Sequence, residues 1–558
     1  YITRHRLIKK DPSSTLSEAV EPIVYYLDRG TPEPVKSALL DGGNWWSQAF
    51  EAAGFKNAFR VEIAPPGMDF LDVRYNVIQW VHRSTRGWSY GASVRDPRTG
   101  EILKGHVSLG SLRVRQDYLI AQGLLQPFED GKPTDKRMLE LAVARLKQLS
   151  AHEIGHTIGL AHNFAASSVG RASVMDYPYP LIKQDIEGNL DLNSAYDNKI
   201  GVWDKWAITY GYGYPPEGVD ETSYLTKALQ DTYHAGYEFI TDTDARDSSG
   251  VHPRSHLWDN GGSAAGELKR MLALRETRMA SFNLNAIPFG QPEATLEEVF
   301  VPLYLMHRYQ LEATAKLIGG MDYSYKIKGD NQPNQSWITA AIQQESLDAV
   351  LFALEPSQLK VPEHVLALIP PRPFGYSRNR ETFASRMGPL FDPIAPAENI
   401  VDVAFKFLLE GGRANRIYIQ QLQDNSLFGL NELLQQLSRA VFSGKSLEGI
   451  PAEIKMMTQA KLVDHLIVLA NNQEISNSVR AIVRGHLKAL REGGKSTGSR
   501  GLIGLGRTSS VSGMHAQYLA DKIQSFITLP LEINPQNPVK VPDGSPIGMD
   551  NMTCDFEY

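Results

Sequence analysis

Residues 152–162, His-Glu-Ile-Gly-His-Thr-Ile-Gly-Leu-Ala-His, have the types and spacing that metal chemistry needs. On a helix, His152 and His156 lie one turn apart on one face, so both imidazoles can bind one zinc ion. Glu153 follows the first of them, where it can hold a water molecule as general base. Gly159 permits a sharp reversal, because glycine tolerates left-handed backbone angles, and the reversal returns His162 as a third ligand. Three protein ligands leave one coordination position open, which is typical of a catalytic zinc site.

The segment before this motif has the pattern of a helix that could position it. Thr134 or Asp135 can cap the helix. Apolar residues then repeat at helical spacing, namely Leu139, Val143, Leu146 and Leu149. The motif is therefore predicted at the end of a long, partly buried helix.

A second segment, Ser173-Val174-Met175-Asp176-Tyr177, follows His162 by eleven residues. With it, the sequence resembles the metzincin metalloproteases. In that family a methionine-containing turn forms an apolar floor under the zinc, and Met175 matches this methionine. In the astacin and serralysin branches the tyrosine two positions later lies near the metal, and Tyr177 matches it. The resemblance thus assigns Met175 to the turn and Tyr177 to the site.

The sequence is similar to one bacterial family of metzincin-type, zinc-dependent proteases, and the similarity spans most of residues 17–212. The matching segments include RYNVIQWVHRS, DPRTGEIL, AHEIGHTIGLAHNF and SVMDYP. Asn163 departs from the acidic or proline residue that several metzincin branches carry after the third histidine. The resemblance implies an α+β catalytic domain with a twisted mixed sheet, an active-site helix and a Met-turn. It also implies export from a bacterial cytoplasm, to the periplasm, the cell surface or the medium.

The expected organisation is an N-terminal extension (1–30), a metzincin-like catalytic domain (31–215) and a mainly helical region (216–558). Within the catalytic domain, residues 102–109 form a strand candidate. By resemblance this strand is the sheet edge above the active-site helix, where unpaired backbone groups can bind an extended substrate. The residues expected to contact substrate are Gly105, His106, Val107 and Ser108.

The helical character after residue 215 rests on two apolar stripes with helical spacing. The first stripe consists of Leu430, Leu433, Leu434, Leu437 and Val441. The second consists of Val479, Ile482, Val483, Leu487 and Leu490. Both stripes need a partner surface, so we expect the helices to pack on each other or on the catalytic domain.

Composition excludes several other classes of protein. The chain has 558 residues, which implies at least two domains. Its net charge of −6 argues against a nucleic-acid partner. No apolar run reaches the roughly eighteen residues of a membrane span. Cys554 is the only cysteine, so a disulfide within the chain is impossible.

The predicted function is that of a zinc-dependent endopeptidase acting on peptide or protein substrates. The alternative is a binding or assembly module with an intact but occluded zinc site, although such a module has no need of Glu153. A calcium ion is a further possibility, bound by an acidic loop. That loop contains Asp242, Asp244, Asp247 and Asp259.

Overall fold

The computed structural model describes residues 1–82, 89–129, 135–493, 501–506 and 509–529, except for the side chains of residues 112 and 113. The strands are Ser17–Glu18 (β1), Ile23–Leu27 (β2), Phe55–Lys56 (β3), Phe59–Ile63 (β4), Asn76–Val81 (β5), Tyr90–Arg95 (β6), Ile102–Gly110 (β7), Lys183–Gln184 (β8), Leu190–Asp191 (β9), Met321–Asp322 (β10) and Ser336–Trp337 (β11).

The first helices are Val35–Asn44 (α1), Ser47–Ala52 (α2), Leu112–Leu125 (α3), Arg137–Thr157 (α4), Val202–Tyr212 (α5), Glu221–His234 (α6), Asp242–Ala245 (α7), Ala264–Ala280 (α8), Leu296–Tyr304 (α9) and Arg308–Lys316 (α10). They are followed by Ala340–Ala353 (α11), Pro356–Leu359 (α12), Glu363–Leu368 (α13), Ala395–Leu408 (α14), Gly411–Gln423 (α15), Leu430–Phe442 (α16), Gly449–Asn471 (α17), Asn477–Glu492 (α18), Leu502–Leu505 (α19) and Val511–Thr528 (α20). Short 3₁₀ helices span Phe164–Val169, Leu284–Ala286 and Glu293–Thr295.

A five-stranded mixed sheet organises the N-terminal part of the chain, which we call the sheet region (residues 1–215). The strand order is β4-β2-β5-β7-β6. The first four strands in this order run parallel, and β6 runs antiparallel to β7. The strand β2, Ile-Val-Tyr-Tyr-Leu, consists of β-branched, aromatic and aliphatic residues that suit a sheet interior. The predicted α+β class is confirmed, with a mixed sheet before a helical region.

Residues 1–30, predicted to be an extension, contribute to this sheet. Their strand β2 lies between β4 and β5. Upstream of it, the carbonyl of Arg4 accepts a hydrogen bond from the N–H of Ile102, at the start of β7. The buried His5 contacts the hydroxyl of Tyr25 and the carbonyl of Thr157, at the end of α4. We therefore propose that residues 1–30 belong to the sheet region.

The edge of the sheet is β6, and the prediction that residues 102–109 form it is wrong. Strand β7 pairs with β5 on one side and with β6 on the other. The four residues expected to meet substrate, Gly105, His106, Val107 and Ser108, all pair with β6, so their backbone is not at an edge. The sequence of β6, Tyr-Gly-Ala-Ser-Val-Arg, is mostly exposed and lacks an apolar face, so no alternating pattern marks it as a strand.

Strand β6 lies directly on the active-site helix α4. A Cβ atom at Gly91 would be 2.1 Å from the carbonyl oxygen of Glu153, a distance that no side chain tolerates. The backbone N–H of Gly91 also donates a hydrogen bond to the Glu153 carboxyl group. Glycine at this position thus sets the distance between the sheet edge and the predicted catalytic residue.

From residue 216 to residue 529, the helical region, the described chain is mainly α-helical. The predicted stripes lie on α16 and α18, where Leu433, Leu437, Val483 and Leu487 are fully buried. None of the described helices is long and apolar enough to span a membrane.

Contacts cross the boundary predicted after residue 215 in both directions. Tyr237 and Phe239 pack against the core of the sheet region. Tyr179 and Ile182, from the sheet region, belong instead to the core of the helical region. We propose that the two regions have separate cores but share one extensive interface around residues 177–192 and 237–258.

Candidate metal centre

The helix α4 and the turn that ends it bring the three histidines of the motif together. His152 and His156 lie on the last turns of α4, which ends at Thr157. Gly159 follows with φ +105°, a left-handed conformation, and the chain reverses there as predicted. The ligand atoms of His152, His156 and His162 all lie within 4.8 Å of one another. Among the described residues this is the cluster of side chains suited to a metal ion.

Each of these imidazoles has its Nδ1 atom beside a hydrogen-bond acceptor. The Nδ1 of His152 is 2.7 Å from the carbonyl oxygen of Val174, and that of His156 is 2.9 Å from the carbonyl oxygen of Leu160. The Nδ1 of His162 is 2.7 Å from Oδ2 of Asp242. An acceptor at Nδ1 requires a proton there, which leaves the lone pair of Nε2 free for a metal.

The Nε2 atoms fit a zinc ion. Those of His152 and His156 are 3.2 Å apart, although neither carries a proton to share. Two ligands of one tetrahedral zinc, each about 2.0–2.1 Å from the ion, lie about 3.3 Å apart. The Nε2 of His162 is buried and has no hydrogen-bond partner among the described residues. A cation between the three rings would satisfy all these lone pairs.

Burial keeps the imidazoles in the uncharged form that binds metal. It lowers the pKa of His156 to about 4 and lowers the pKa of His152 and His162 as well. For His152, repulsion from the neighbouring imidazoles lowers the pKa further, whereas Asp242 partly offsets the effect of burial on His162. At neutral pH no proton has to leave before a metal binds.

Glu153 is almost fully buried beside the first histidine, with 5% of its surface exposed. Burial raises the pKa of its carboxyl group to about 7, although the charge of Arg145 and the N–H of Gly91 act in the opposite direction. A carboxyl group with a pKa near neutrality can both accept and return a proton near pH 7.

The Met-turn lies under the site, as the resemblance implies. Met175 is fully buried in the core of the sheet region. Its turn is held by Asp204, whose carboxylate accepts hydrogen bonds from the hydroxyl of Ser173 (2.6 Å) and from the N–H groups of Val174 (2.9 Å) and Gly201 (2.8 Å). Burial nevertheless raises the pKa of Asp204 to about 6. Sequence reasoning missed Asp204, which lies at the start of α5.

Tyr177 stands between the histidines and the helical region. Its ring centroid is 4.7 Å from that of His162, in an edge-to-face arrangement, and the indole of Trp258 stacks on it at 5.0 Å. The Tyr177 hydroxyl accepts a hydrogen bond from Nη2 of Arg246 at 3.3 Å. The structure thus places the predicted tyrosine beside the third histidine.

Asn163, the departure from other metzincin branches, joins the site to the helical region. Its N–H donates to the carbonyl of Met175 at 3.1 Å. Its side-chain amide donates to the carbonyl of Glu238 and accepts from the N–H of Ile240. These hydrogen bonds hold the chain before Asp242 close to the metal centre. Sequence reasoning considered Asp242 only as a calcium ligand, and no local sequence pattern marks Arg246 or Trp258 as part of a site.

The acidic loop does not form the calcium site considered from the sequence. Asp242 pairs with His162 and Arg246, and Asp244 accepts hydrogen bonds from Tyr323 and Tyr325. In the part of the chain that the structure describes, no cluster of these aspartates qualifies as a metal site. Calcium binding is therefore not supported.

Comparison with protein families matches residues 134–448 to the family described as Met-zincin. No curated protein and no solved structure matches the chain significantly. The family match confirms the resemblance to metzincins and points to a hydrolase of the metalloprotease type. Because the match covers more than half of its 558 residues, the chain belongs to the Met-zincin family, whose fold is of the zinc-metallopeptidase type.

Proposed function

We propose that the protein is a zinc-dependent endopeptidase. The observation that carries this proposal is the convergence of three unprotonated Nε2 atoms, those of His152, His156 and His162, beside the buried carboxyl group of Glu153. A structural zinc site would be closed by a fourth protein ligand, and no fourth histidine, cysteine, aspartate or glutamate among the described residues joins this cluster.

The three histidines would hold the zinc ion. When bound, zinc supplies Lewis-acid chemistry, polarising a carbonyl group and making a water molecule more acidic. Glu153, buried beside the first histidine, would accept a proton from the attacking water and pass it to the leaving amine. The hydroxyl of Tyr177, whose ring packs against His162, would donate a hydrogen bond to the oxyanion that forms at the scissile carbonyl.

An extended substrate would pair with β6 rather than β7. Strand β6 is the free edge of the sheet and contacts α4 at Glu153. Substrate backbone bound along it would therefore pass close to the proposed general base. The expectation that the protein is exported rests on the family resemblance alone and stays a prediction.

The test is metal analysis combined with proteolysis. Purified protein should contain about one zinc per chain, and a chelator should abolish cleavage of a denatured protein substrate, with zinc restoring it. His162→Ala should lose most of its zinc, because one of only three protein ligands is gone. Exposed His234, on α6, provides the control as His234→Ala.

Two outcomes would contradict the proposal. Full zinc occupancy in His162→Ala would mean that the third ligand is a different residue. Stoichiometric zinc without cleavage of any denatured protein or diverse peptide mixture would favour the alternative, a binding module with an occluded zinc site.

A further inference from the structure

The third histidine is held differently from the other two. The acceptors of His152 and His156 are backbone carbonyls, from Val174 and Leu160. The acceptor of His162 is the carboxylate of Asp242, eighty residues later and in the helical region. A carboxylate fixes the orientation of a ligating imidazole and makes its Nε2 more basic than a carbonyl does.

Asp242 also connects His162 to Tyr177. Its second oxygen, Oδ1, accepts a hydrogen bond from Nε of Arg246 at 2.5 Å. The same guanidinium donates from Nη2 to the Tyr177 hydroxyl, and its centre lies 5.4 Å from the Tyr177 ring. The Tyr177 ring in turn packs edge-to-face on His162. Each of the four side chains, His162, Asp242, Arg246 and Tyr177, therefore contacts the next, and the last contacts the first.

The backbone just before Asp242 is held by contacts that do not involve the side chains of Asp242 and Arg246. Asn163 binds the backbone of Glu238 and Ile240, and the Tyr325 hydroxyl accepts a hydrogen bond from the N–H of Thr241. The side chains of Asp242 and Arg246 are 39% and 48% exposed. Half-exposed charges of this kind contribute little to folding, so their arrangement around the site calls for another role.

We propose that Asp242 and Arg246 are positioning residues of the metal centre, through which the helical region orients His162 for zinc and Tyr177 for substrate. The part that concerns Tyr177 rests on the proposed peptidase function, whereas the part that concerns His162 requires only that the site binds zinc. The fork of an arginine can bind a carboxylate and a hydroxyl at once, which a lysine ammonium cannot do in the same fixed geometry.

The first experiment measures zinc affinity by competition with a chromophoric chelator, on the full chain. Asp242→Asn should raise the zinc dissociation constant roughly 10–100-fold, the usual effect of losing such a partner. Asp242→Ala, which removes the acceptor entirely, should raise it at least as much. The matched control is Asp244→Asn, which removes the same charge from the same helix where the carboxylate bonds only to Tyr323 and Tyr325.

This experiment needs no turnover, so its outcome is separate from that of the proposed function. Circular dichroism should show that the variants keep the helix content of the wild type. If Asp242→Asn and Asp242→Ala both bound zinc as tightly as Asp244→Asn, Asp242 would have no positioning role and the proposal would fail.

The second experiment tests the link to Tyr177 with a double-mutant cycle. Arg246→Met should lower kcat roughly 10-fold in the presence of Tyr177, as expected for groups in one hydrogen-bond network. In a Tyr177→Phe background the same change should lower kcat little further. Arg254→Met is the control, since Arg254 lies eight residues after Arg246 but pairs with Glu238 and Asp322 instead. Equal losses in both backgrounds would overturn the link.

A spectroscopic readout covers the case in which no substrate is cleaved. In the Co²⁺-substituted protein the visible absorption bands report ligand geometry. They should shift in both Asp242→Asn and Arg246→Met and keep the wild-type position in Asp244→Asn and Arg254→Met. Wild-type bands in all four variants would contradict a role for the pair in positioning His162.

Discussion

The sheet region and the helical region hold the metal centre by contacts of very different range. In the sheet region the acceptors of His156 and His152 lie 4 and 22 residues away, and both are backbone carbonyls. The helical region holds His162 through the side chain of Asp242, 80 residues away. The first two ligands therefore depend on one helix and its following turns, while the third depends on how the two regions pack.

The residues with proposed chemical roles are also divided between contacts within the sheet region and contacts with the helical region. Glu153 and the paired histidines belong to α4, whose buried face packs within the sheet region. Tyr177 is carried by the sheet region, but its hydroxyl and one face of its ring are contacted by Arg246 and Trp258 of the helical region. We expect changes within α4 to act on the reaction directly, and changes in the helical region to act through His162 and Tyr177.

The largest effect is expected at Glu153. Glu153→Gln keeps the size and shape of the side chain but cannot accept a proton, so kcat should fall by roughly 10²–10⁴-fold. Bound zinc should be unchanged, because Glu153 is not a ligand. Glu140→Gln, an exposed position on the same helix, is the control. Near-normal turnover in Glu153→Gln would show that another group accepts the proton.

The second prediction concerns the N-terminal segment that supports α4. Burial lowers the pKa of His5 to about 4, from an ordinary value of 6.5. The unfolded chain therefore binds more protons than the folded chain between these values, and stability falls as pH decreases from 6.5 towards 4. The contribution of His5 to this loss should approach about 3 kcal/mol in the free energy of unfolding.

Denaturant unfolding at pH 7 and at pH 4.5 measures this loss. His5→Gln should lower stability at pH 7 and make its dependence on pH less steep, because one of the buried histidines that titrate in this range is gone. His234→Gln, at an exposed position, should keep the wild-type dependence. A His5→Gln protein as sensitive to acid as the wild type would mean that other groups cause the loss.

The parts of the site that could be predicted from the sequence are those whose residues lie close together along the chain. The three histidines, Glu153 and the turn at Gly159 follow from spacing within eleven residues, and the helix follows from the apolar repeat just before them. Met175 and Tyr177 required the family resemblance, because a methionine in a loop has no distinctive local pattern. All of these residues belong to one continuous segment, in which neighbours in sequence are neighbours in space.

The features that could not be predicted depend on contacts between segments far apart in the chain, and such contacts leave no local pattern in the sequence. Strand β6 is mostly exposed and has no alternating apolar pattern, so its position at the sheet edge became evident only from its pairing with β7. Asp242 and Arg246 occur in an acidic stretch whose sequence favours a solvated loop over a site. Asp204 resembles an ordinary residue in the first turn of a helix, although its carboxylate holds the Met-turn.

The third prediction concerns the contact between the sheet edge and α4. Gly91→Ala would place a methyl group against the carbonyl of Glu153, so β6 must move outward. Overpacking of this kind costs about 1–3 kcal/mol of stability. If substrate pairs with β6, KM for extended peptides should rise while zinc content stays the same. Ala92→Ser, at an exposed position on the same strand, is the control. Unchanged stability and KM would contradict the close approach of β6 to the helix.

The smallest effect is expected at Tyr177, where the two regions meet. Tyr177→Phe keeps the ring between His162 and Trp258 but removes the hydroxyl that Arg246 contacts. If this hydroxyl stabilises the oxyanion, kcat should fall about 10-fold, or about 1.4 kcal/mol, with a smaller change in KM. Zinc affinity should stay the same, because the hydroxyl is not required to hold a ligand.

The control is Tyr237→Phe, a tyrosine of the helical region that packs on the core of the sheet region. It should leave kcat and KM unchanged. If Tyr177→Phe also left kcat unchanged, the tyrosine would serve only to pack His162 against Trp258, and the contribution of the helical region would be confined to Asp242. If instead KM rose and kcat held, the hydroxyl would bind the substrate and the transition state equally, and the oxyanion role would be wrong.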